Sequence, residues 1–110
     1  MEKVTFNFRG HPFCQTTVKS YCLKWGGIIL PMNFAKENDL ANKWCDITLI
    51  DQSGKAWQLQ LRYTNRKWAS VYIGGWSKFH LENGLKEGDH VVFELIAVGE
   101  NPTMNFYKLG

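Results

Sequence analysis

The sequence predicts a mainly-β domain of about seven strands, a small barrel or sandwich with two short helices. Three observations lead there. Apolar residues recur mostly with a period of two, the spacing that places alternate side chains on opposite faces of a strand. Turn residues punctuate the chain at roughly 8–12-residue intervals. Only two stretches carry helical spacing, and both are short.

In chain order, Phe13–Val18 and Ile28–Leu30 read as strands, the second closed by Pro31. Asn33–Asn38 reads as a short helix with Phe34 turned inward. Cys45–Ile50 and Ala56–Arg62 form a hairpin, because Asp51-Gln52-Ser53-Gly54 between them is turn chemistry. In its second strand Trp57, Leu59 and Leu61 alternate with Gln58, Gln60 and Arg62. Ser70–Ile73 is a short strand. Ser77–Asn83 is the second helix, with Trp76, Phe79 and Leu81 near one side and Asn83-Gly84 as its stop. After the Gly88-Asp89 turn, Val91–Val98 is nearly all apolar, a strand expected to be buried on both faces. Thr103–Leu109 comes after the Asn101-Pro102 break as the last strand.

Length and composition narrow the function classes. The 110 residues fit one domain, and 45% hydrophobic residues is a globular composition. No apolar run approaches the roughly 18–20 residues of a membrane span, and Met1–Phe6 has no signal-peptide core. Cys14, Cys22 and Cys45 are unevenly spaced and make no disulfide framework, so cytosol or nucleus is the expected compartment. Residues 1–11 carry the least pattern and read as a flexible lead-in to a single domain over 12–110.

The net charge of +3, from 13 Lys and Arg against 10 Asp and Glu, looks too small for a polyanionic partner, but its arrangement is uneven. Residues 3–36 hold no acid and five bases, Lys3, Arg9, Lys19, Lys24 and Lys36. Residues 52–81 hold no acid and five more, Lys55, Arg62, Arg66, Lys67 and Lys78. The remainder carries three bases and all ten acids. Folded together, the two blocks would make one basic face, the electrostatic footprint of a nucleic-acid binder. Gaps this long also arise by chance, so charge alone leaves ordinary solvated surface open.

Two loops concentrate the chemistry. Tyr63–Ala69 and Ser20–Gly27 each join two expected strands, each mix basic and aromatic residues, and each lie in an acid-free block. Lys and Arg neutralise phosphates, Arg and Asn can make paired hydrogen bonds to base edges, and Tyr and Trp pack on sugars and bases.

The motifs Ile29-Leu30-Pro31-Met32-Asn33-Phe34-Ala35, Asp51-x-x-Gly54-Lys55-x-Trp57, Gly74-Gly75-Trp76-Ser77-Lys78-Phe79 and Asn83-Gly84-Leu85-x-x-Gly88-Asp89, then Val92-Phe93-Glu94-Leu95, occur in this order. Each alone is weak. Together, from about Pro12 to Leu109, they resemble the plant B3 DNA-binding domain. Pro12-Phe13, Ser20-Tyr21 and Leu30-Pro31 look most like its reproductive-meristem (REM) class. The resemblance implies a seven-stranded open β-barrel, or pseudobarrel, with a short helix at each end. It also implies double-stranded DNA as partner, gripped in the major groove by two arms. The N-terminal arm would be about Val18–Trp25 and the C-terminal arm about Arg62–Ser70, the same two loops that charge marks. The fold is also similar to DNA-recognition domains of some restriction endonucleases.

Within that reading Lys19, Lys24, Arg62, Arg66 and Lys67 are the expected backbone contacts. Tyr21, Asn65, Arg66 and Trp68 are expected at bases or sugars. Ser77 and Lys78 would meet phosphate through side chains and exposed backbone N–H groups. Thr64, Lys67 and Ala69 stand where hormone-response members carry Arg or Pro contacts, so those members' sequence preference does not transfer, and contacts mainly to phosphate would give a weak one.

Trp57, Trp76, Phe79, Phe34 and Phe93 are family framework residues and are expected in the core. Trp25 and Trp68, in polar arms, are read equally as exposed contacts or as local packing. Free buried thiols are expected at Cys14 and Cys22. His11, His80 and His90 are isolated and no CxxC or HxxxH pair exists, so no metal or cofactor is expected. No Ser/His/Asp set, paired carboxylates or Gly-rich phosphate loop points to an enzyme. The expectation is therefore a DNA-binding module of a nuclear plant transcription regulator, with its acidic face, or further domains of a longer chain, open to protein partners. Two alternatives remain: a divergent B3-like domain serving protein–protein interaction through Tyr21, Trp25 and Trp68, and a small barrel stacking single strands on aromatic rings.

Overall fold

The computed structural model describes residues 10–64 and 70–109. Seven strands, β1 (Phe13–Thr17), β2 (Gly27–Leu30), β3 (Cys45–Ile50), β4 (Ala56–Thr64), β5 (Ser70–Gly74), β6 (His90–Ala97) and β7 (Thr103–Lys108), form one sheet in the order β1-β6-β7-β3-β4-β5-β2. All neighbours are antiparallel except β3 and β7. The sheet curls into an open barrel, because residues from both end strands, Cys14 of β1 and Ile28 and Leu30 of β2, belong to the same buried core.

The period-two pattern is what the barrel uses. Leu59 and Leu61 of β4, Val71 and Ile73 of β5, and Ile47 and Leu49 of β3 point inward and are fully or almost fully buried. Gln58, Gln60 and Arg62 alternate to the outside. Val91 to Leu95 of β6 are buried consecutively, as a nearly all-apolar run demands, with Glu94 the charged residue among them.

Three short helices accompany the barrel: α1 (Ser20–Trp25), α2 (Met32–Glu37) and α3 (Trp76–Glu82). The sequence pattern predicts only two of them. The segment Ser20–Gly27, expected as a loop, contains α1. Its helical turns bury Cys22 and end at Gly26, whose left-handed φ of 85° and N–H bond to the Cys22 carbonyl at 3.1 Å close the helix. Leu81 is a second correction. Expected beside Trp76 and Phe79, it is instead 72% exposed. Residues three apart share a helix face, and Leu81 lies two beyond Phe79 and five beyond Trp76, on the other side.

α3 carries the central packing. Trp76 and Phe79 are both fully buried. Their rings meet at 4.9 Å, and Phe106 stands edge-on to Phe79 at 4.9 Å. Phe93 and Phe34 are buried as expected, while Trp57 is half-buried, edge-on to Phe79 at 5.5 Å. Cys14 and Cys22 are buried free thiols, and burial pushes Cys14 up to about 12, which keeps it protonated and inert.

The β3–β4 turn is organised by a carboxylate. Asp51 Oδ1 accepts from the Ser53 N–H at 3.0 Å, the Ser53 hydroxyl at 2.6 Å and the Lys55 N–H at 3.0 Å, and its Oδ2 accepts from the Trp57 indole at 2.9 Å. Burial alone would raise its pKa. The hydrogen bonds from Ser53, Trp57 and Lys55 outweigh burial and lower it to about 2. Glu94, buried on β6, is likewise held below its ordinary value: bonds from Asn105, His11 and Tyr107 overcome desolvation. His11 thus ties the chain just before β1 onto β6.

A depressed carboxylate pKa stabilises the fold above the unfolded value and loses that contribution as pH falls through the folded one. The thermal midpoint is therefore expected to fall between about pH 4 and pH 2, where Asp51 takes up its proton. Asp51→Asn, which keeps one acceptor oxygen but loses the charge, is expected to cost about 1–3 kcal/mol at neutral pH and to flatten that acid limb. Calorimetry from pH 7 to pH 2 reads both effects, and an unchanged acid limb in the variant would remove Asp51 as its source.

Candidate nucleic-acid interface

α1 is held against α3 by the main chain. The Trp76 N–H donates to the Gly26 carbonyl at 3.0 Å, so the residue that caps α1 also receives the first amide of α3. Ser77 and Lys78 are exposed beside this junction and are present through their side chains.

From α1, Trp25 reaches over the sheet and packs on Tyr72 of β5, ring centroids 4.7 Å apart, with Tyr21 6.2 Å from Trp25. The register continues the row: Ile29 of β2 lies opposite Tyr72, and Tyr72 lies opposite Arg62 of β4. The Arg62 guanidinium sits over the ring of Trp44, 4.9 Å from its centroid. An open groove of about 410 Å³ runs along this face, lined by Trp25, Ile29, Trp44, Tyr63, Thr64, Ser70 and Tyr72. Thr64 and Ser70 end β4 and begin β5, so they are the stems of the basic connection between those strands. The last residue of α1, Trp25, and the residues that end β4 and begin β5 therefore line one groove.

Pairing takes up part of the basic charge. Lys43, Lys55 and Lys108 lie beside carboxylates, Asp39 at 3.8 Å, Glu82 at 3.0 Å and Asp89 at 3.6 Å. Among the described residues Lys19, Lys24, Arg62 and Lys78 have no such ion pair, and neither have Lys36 and Lys86. Arg62 instead donates to the Leu61 carbonyl at 3.1 Å. A base without an ion-pair partner leaves its charge available to an anionic ligand.

Of the expected site residues, Lys19, Tyr21, Lys24, Ser77 and Lys78 are exposed at this end of the barrel and Arg62 is half-buried on its outer face. Asn65, Arg66, Lys67 and Trp68 lie outside the described residues. Trp25, 54% exposed, both packs locally and lines the groove. Sequence reasoning missed Tyr72 and Trp44. Tyr72 is an aromatic at an outward position between buried Val71 and Ile73, and that placement was the available signal. Trp44, just before β3, carries a weaker one, as a large ring next to a predicted strand.

A family model described as the B3 DNA binding domain matches residues 13–109. The chain belongs to the B3 family. It is 32% identical over 94 residues to B3 domain-containing protein REM10 of Arabidopsis thaliana, covering 84% of this chain and 17% of that protein. It is 37% identical over 76 residues to the Arabidopsis B3 domain-containing protein REM8, covering 68% of this chain and 16% of that protein. The B3 chain thus spans under a fifth of these relatives' length, and they carry the REM designation expected from its motifs. The solved Arabidopsis FUS3–DNA complex shares the fold, with a TM-score of 0.70 and 21% identity over 90% of this chain and 100% of that one.

The α1–α3 junction gives a test of how the B3 domain positions α1. A Cβ on Gly26 would come within 3.0 Å of Ser77 Oγ on a left-handed backbone, whereas Gly54, also left-handed, has open space. Gly54→Ala is expected to cost about 1–2 kcal/mol from backbone strain alone, and Gly26→Ala more. Urea unfolding of the two variants measures the difference. Equal costs would mean that the close approach of α1 to α3 contributes nothing.

Proposed function

We propose that this B3 domain binds double-stranded DNA by seating two arms in the major groove, as the DNA-binding module of a plant transcription regulator in the nucleus. The first arm is α1 with its flanks, about Val18–Trp25, and the second is the β4–β5 connection, about Arg62–Ser70. The observation that carries this reading is the groove between α1 and the β4–β5 stems, lined by Trp25, Trp44 and Tyr72, with Arg62 packed on Trp44 and no carboxylate among the described residues in an ion pair with Arg62, Lys19 or Lys24. Family membership agrees with it.

Lys19, Lys24, Arg62, Arg66 and Lys67 contact the DNA backbone in this reading, with Ser77 and Lys78 at its margin. Tyr21, Asn65, Arg66 and Trp68 approach bases or sugars. Contacts of this kind position the protein more than they read sequence, so the preference is weak. The domain acts by binding and carries out no reaction. Its acidic remainder, and the rest of a longer chain, are left for protein partners.

If the five backbone bases each neutralise one phosphate, affinity for a duplex should fall about 10²–10³-fold between roughly 50 and 200 mM salt. Reversing Arg66 and Lys67 together, or Lys19 and Lys24 together, should weaken binding several-fold or more and reduce the salt slope by about two. Lys55→Glu, at a base paired with Glu82, should leave the slope unchanged. Fluorescence anisotropy on duplex DNA, with a single-stranded competitor, reads all three. The exposed rings of Tyr21, Trp25 and Trp44 support a second reading, a protein-binding surface. A flat duplex titration at low salt would favour that one.

A further inference from the structure

We propose that Trp44, which lies outside both arms, is a positioning residue for the DNA contact of Arg62. The proposal rests on the reading above, in which Arg62 meets the DNA backbone. Trp44 is 68% exposed, more than Tyr21 or Trp25. A ring that open is ordinarily free to rotate, but this one is fixed: its indole N–H donates to the Tyr63 carbonyl at 2.9 Å, on the strand that carries Arg62. The fixed ring offers its face to the Arg62 guanidinium at 4.9 Å.

Arg62 is held from a second side by the Leu61 carbonyl, at 3.1 Å. Among the described residues no acid pairs with it. A carboxylate would position the guanidinium equally well but would cancel its charge. An indole face holds a cation by its quadrupole and leaves the charge whole. Arginine has one of the largest side-chain entropies, and an unheld Arg62 would lose that freedom on meeting a phosphate. Trp44 removes part of that loss in advance. The placement suits the task, because Trp44 lines the groove between the arms and forms the wall shared with a second open groove that also contains Arg62.

The test is a double-mutant cycle on duplex DNA, with Trp44→Ala, Arg62→Ala and both, each confirmed folded by circular dichroism and thermal melting. Trp44→Ala is expected to weaken binding by about 2–5-fold, the scale of an exposed cation–π contact. Although it changes no charge, it should lower the salt slope in the same direction as Arg62→Ala, which is expected to remove about 0.9. The double variant should bind no more weakly than Arg62→Ala alone. Trp44→Phe keeps a π face but loses the indole donor that fixes the ring, so its affinity should fall between those of the parent and Trp44→Ala, and it should melt lower. Fully additive losses, or a loss in Trp44→Ala with an unchanged slope, would overturn the proposal and make Trp44 an independent contact or a purely structural residue. Full affinity in Trp44→Phe would overturn it as well, because the anchoring of the ring would then contribute nothing. If Arg62→Ala itself leaves affinity and slope unchanged while the Lys19 and Lys24 reversal weakens binding, Arg62 is not a DNA contact and the proposal falls with that assignment.

Discussion

The docking of α3 through Trp76 is the constraint on which the rest of this B3 domain depends. An open barrel has two end strands, and here the core they share must be covered at the same time as it is packed. Trp76 does both. Its ring is fully buried against Phe79, Phe93 and Phe106, at centroid distances of 4.9, 6.3 and 6.4 Å, while its N–H holds the end of α1. Among the described residues its indole nitrogen is buried without a hydrogen-bond partner, a cost of about 1–3 kcal/mol. Truncating a buried aromatic of this size typically costs about 3–5 kcal/mol. Packing therefore outweighs the orphaned donor, and the side chain is held by shape and not by polarity.

The consequences of that docking reach the interface. Because the Trp76 amide bonds to the Gly26 carbonyl, the C-terminal end of α1 is fixed relative to the sheet, and Trp25, one residue earlier, is delivered onto Tyr72. Tyr72 is in register with Ile29 and Arg62, so the position of α1 and the position of the β4–β5 stems are set by one ladder of main-chain hydrogen bonds. Elements fixed on such a frame keep their relative spacing without a ligand, and a preordered surface loses less freedom when it binds one.

The strands were legible because their signal is local and repeated. Trp57, Leu59 and Leu61 alternate with Gln58, Gln60 and Arg62, and a one-residue slip would expose every apolar side chain. α1 was not legible for the opposite reason. Six residues give fewer than two turns, Cys22 is its one fully buried residue, and Lys19 before it has no side-chain acceptor to announce a cap. Gly26 is a stop signal, but Gly27 beside it is buried in β2, and a glycine pair has the composition of a loop. At the interface, the basic residues were legible as gaps in the acid distribution. Tyr72 and Trp44 were not, because each is a lone outward ring with no repeated pattern around it. Only the register of β2, β5 and β4, and the packing of Arg62 on Trp44, bring them into one row.

The same pairing pattern resolves the tension between a net charge of +3 and a polyanionic ligand. Net charge counts every base equally, but a base beside a carboxylate contributes a local dipole and not a free positive field. Lys43, Lys55 and Lys108 are of that kind. Among the described residues Lys19, Lys24 and Arg62 are not, nor are Lys36, Lys78 and Lys86; Asp46 and Glu100 line a groove with Arg62 without pairing with it, and charges farther off than a Debye length of about 8 Å in physiological salt are largely screened. The field felt by a ligand in the groove is then set by the nearest few residues. A chain can thus keep acids enough to stay well behaved in solution and still present one basic face, provided that the acids are placed beside bases the face does not use.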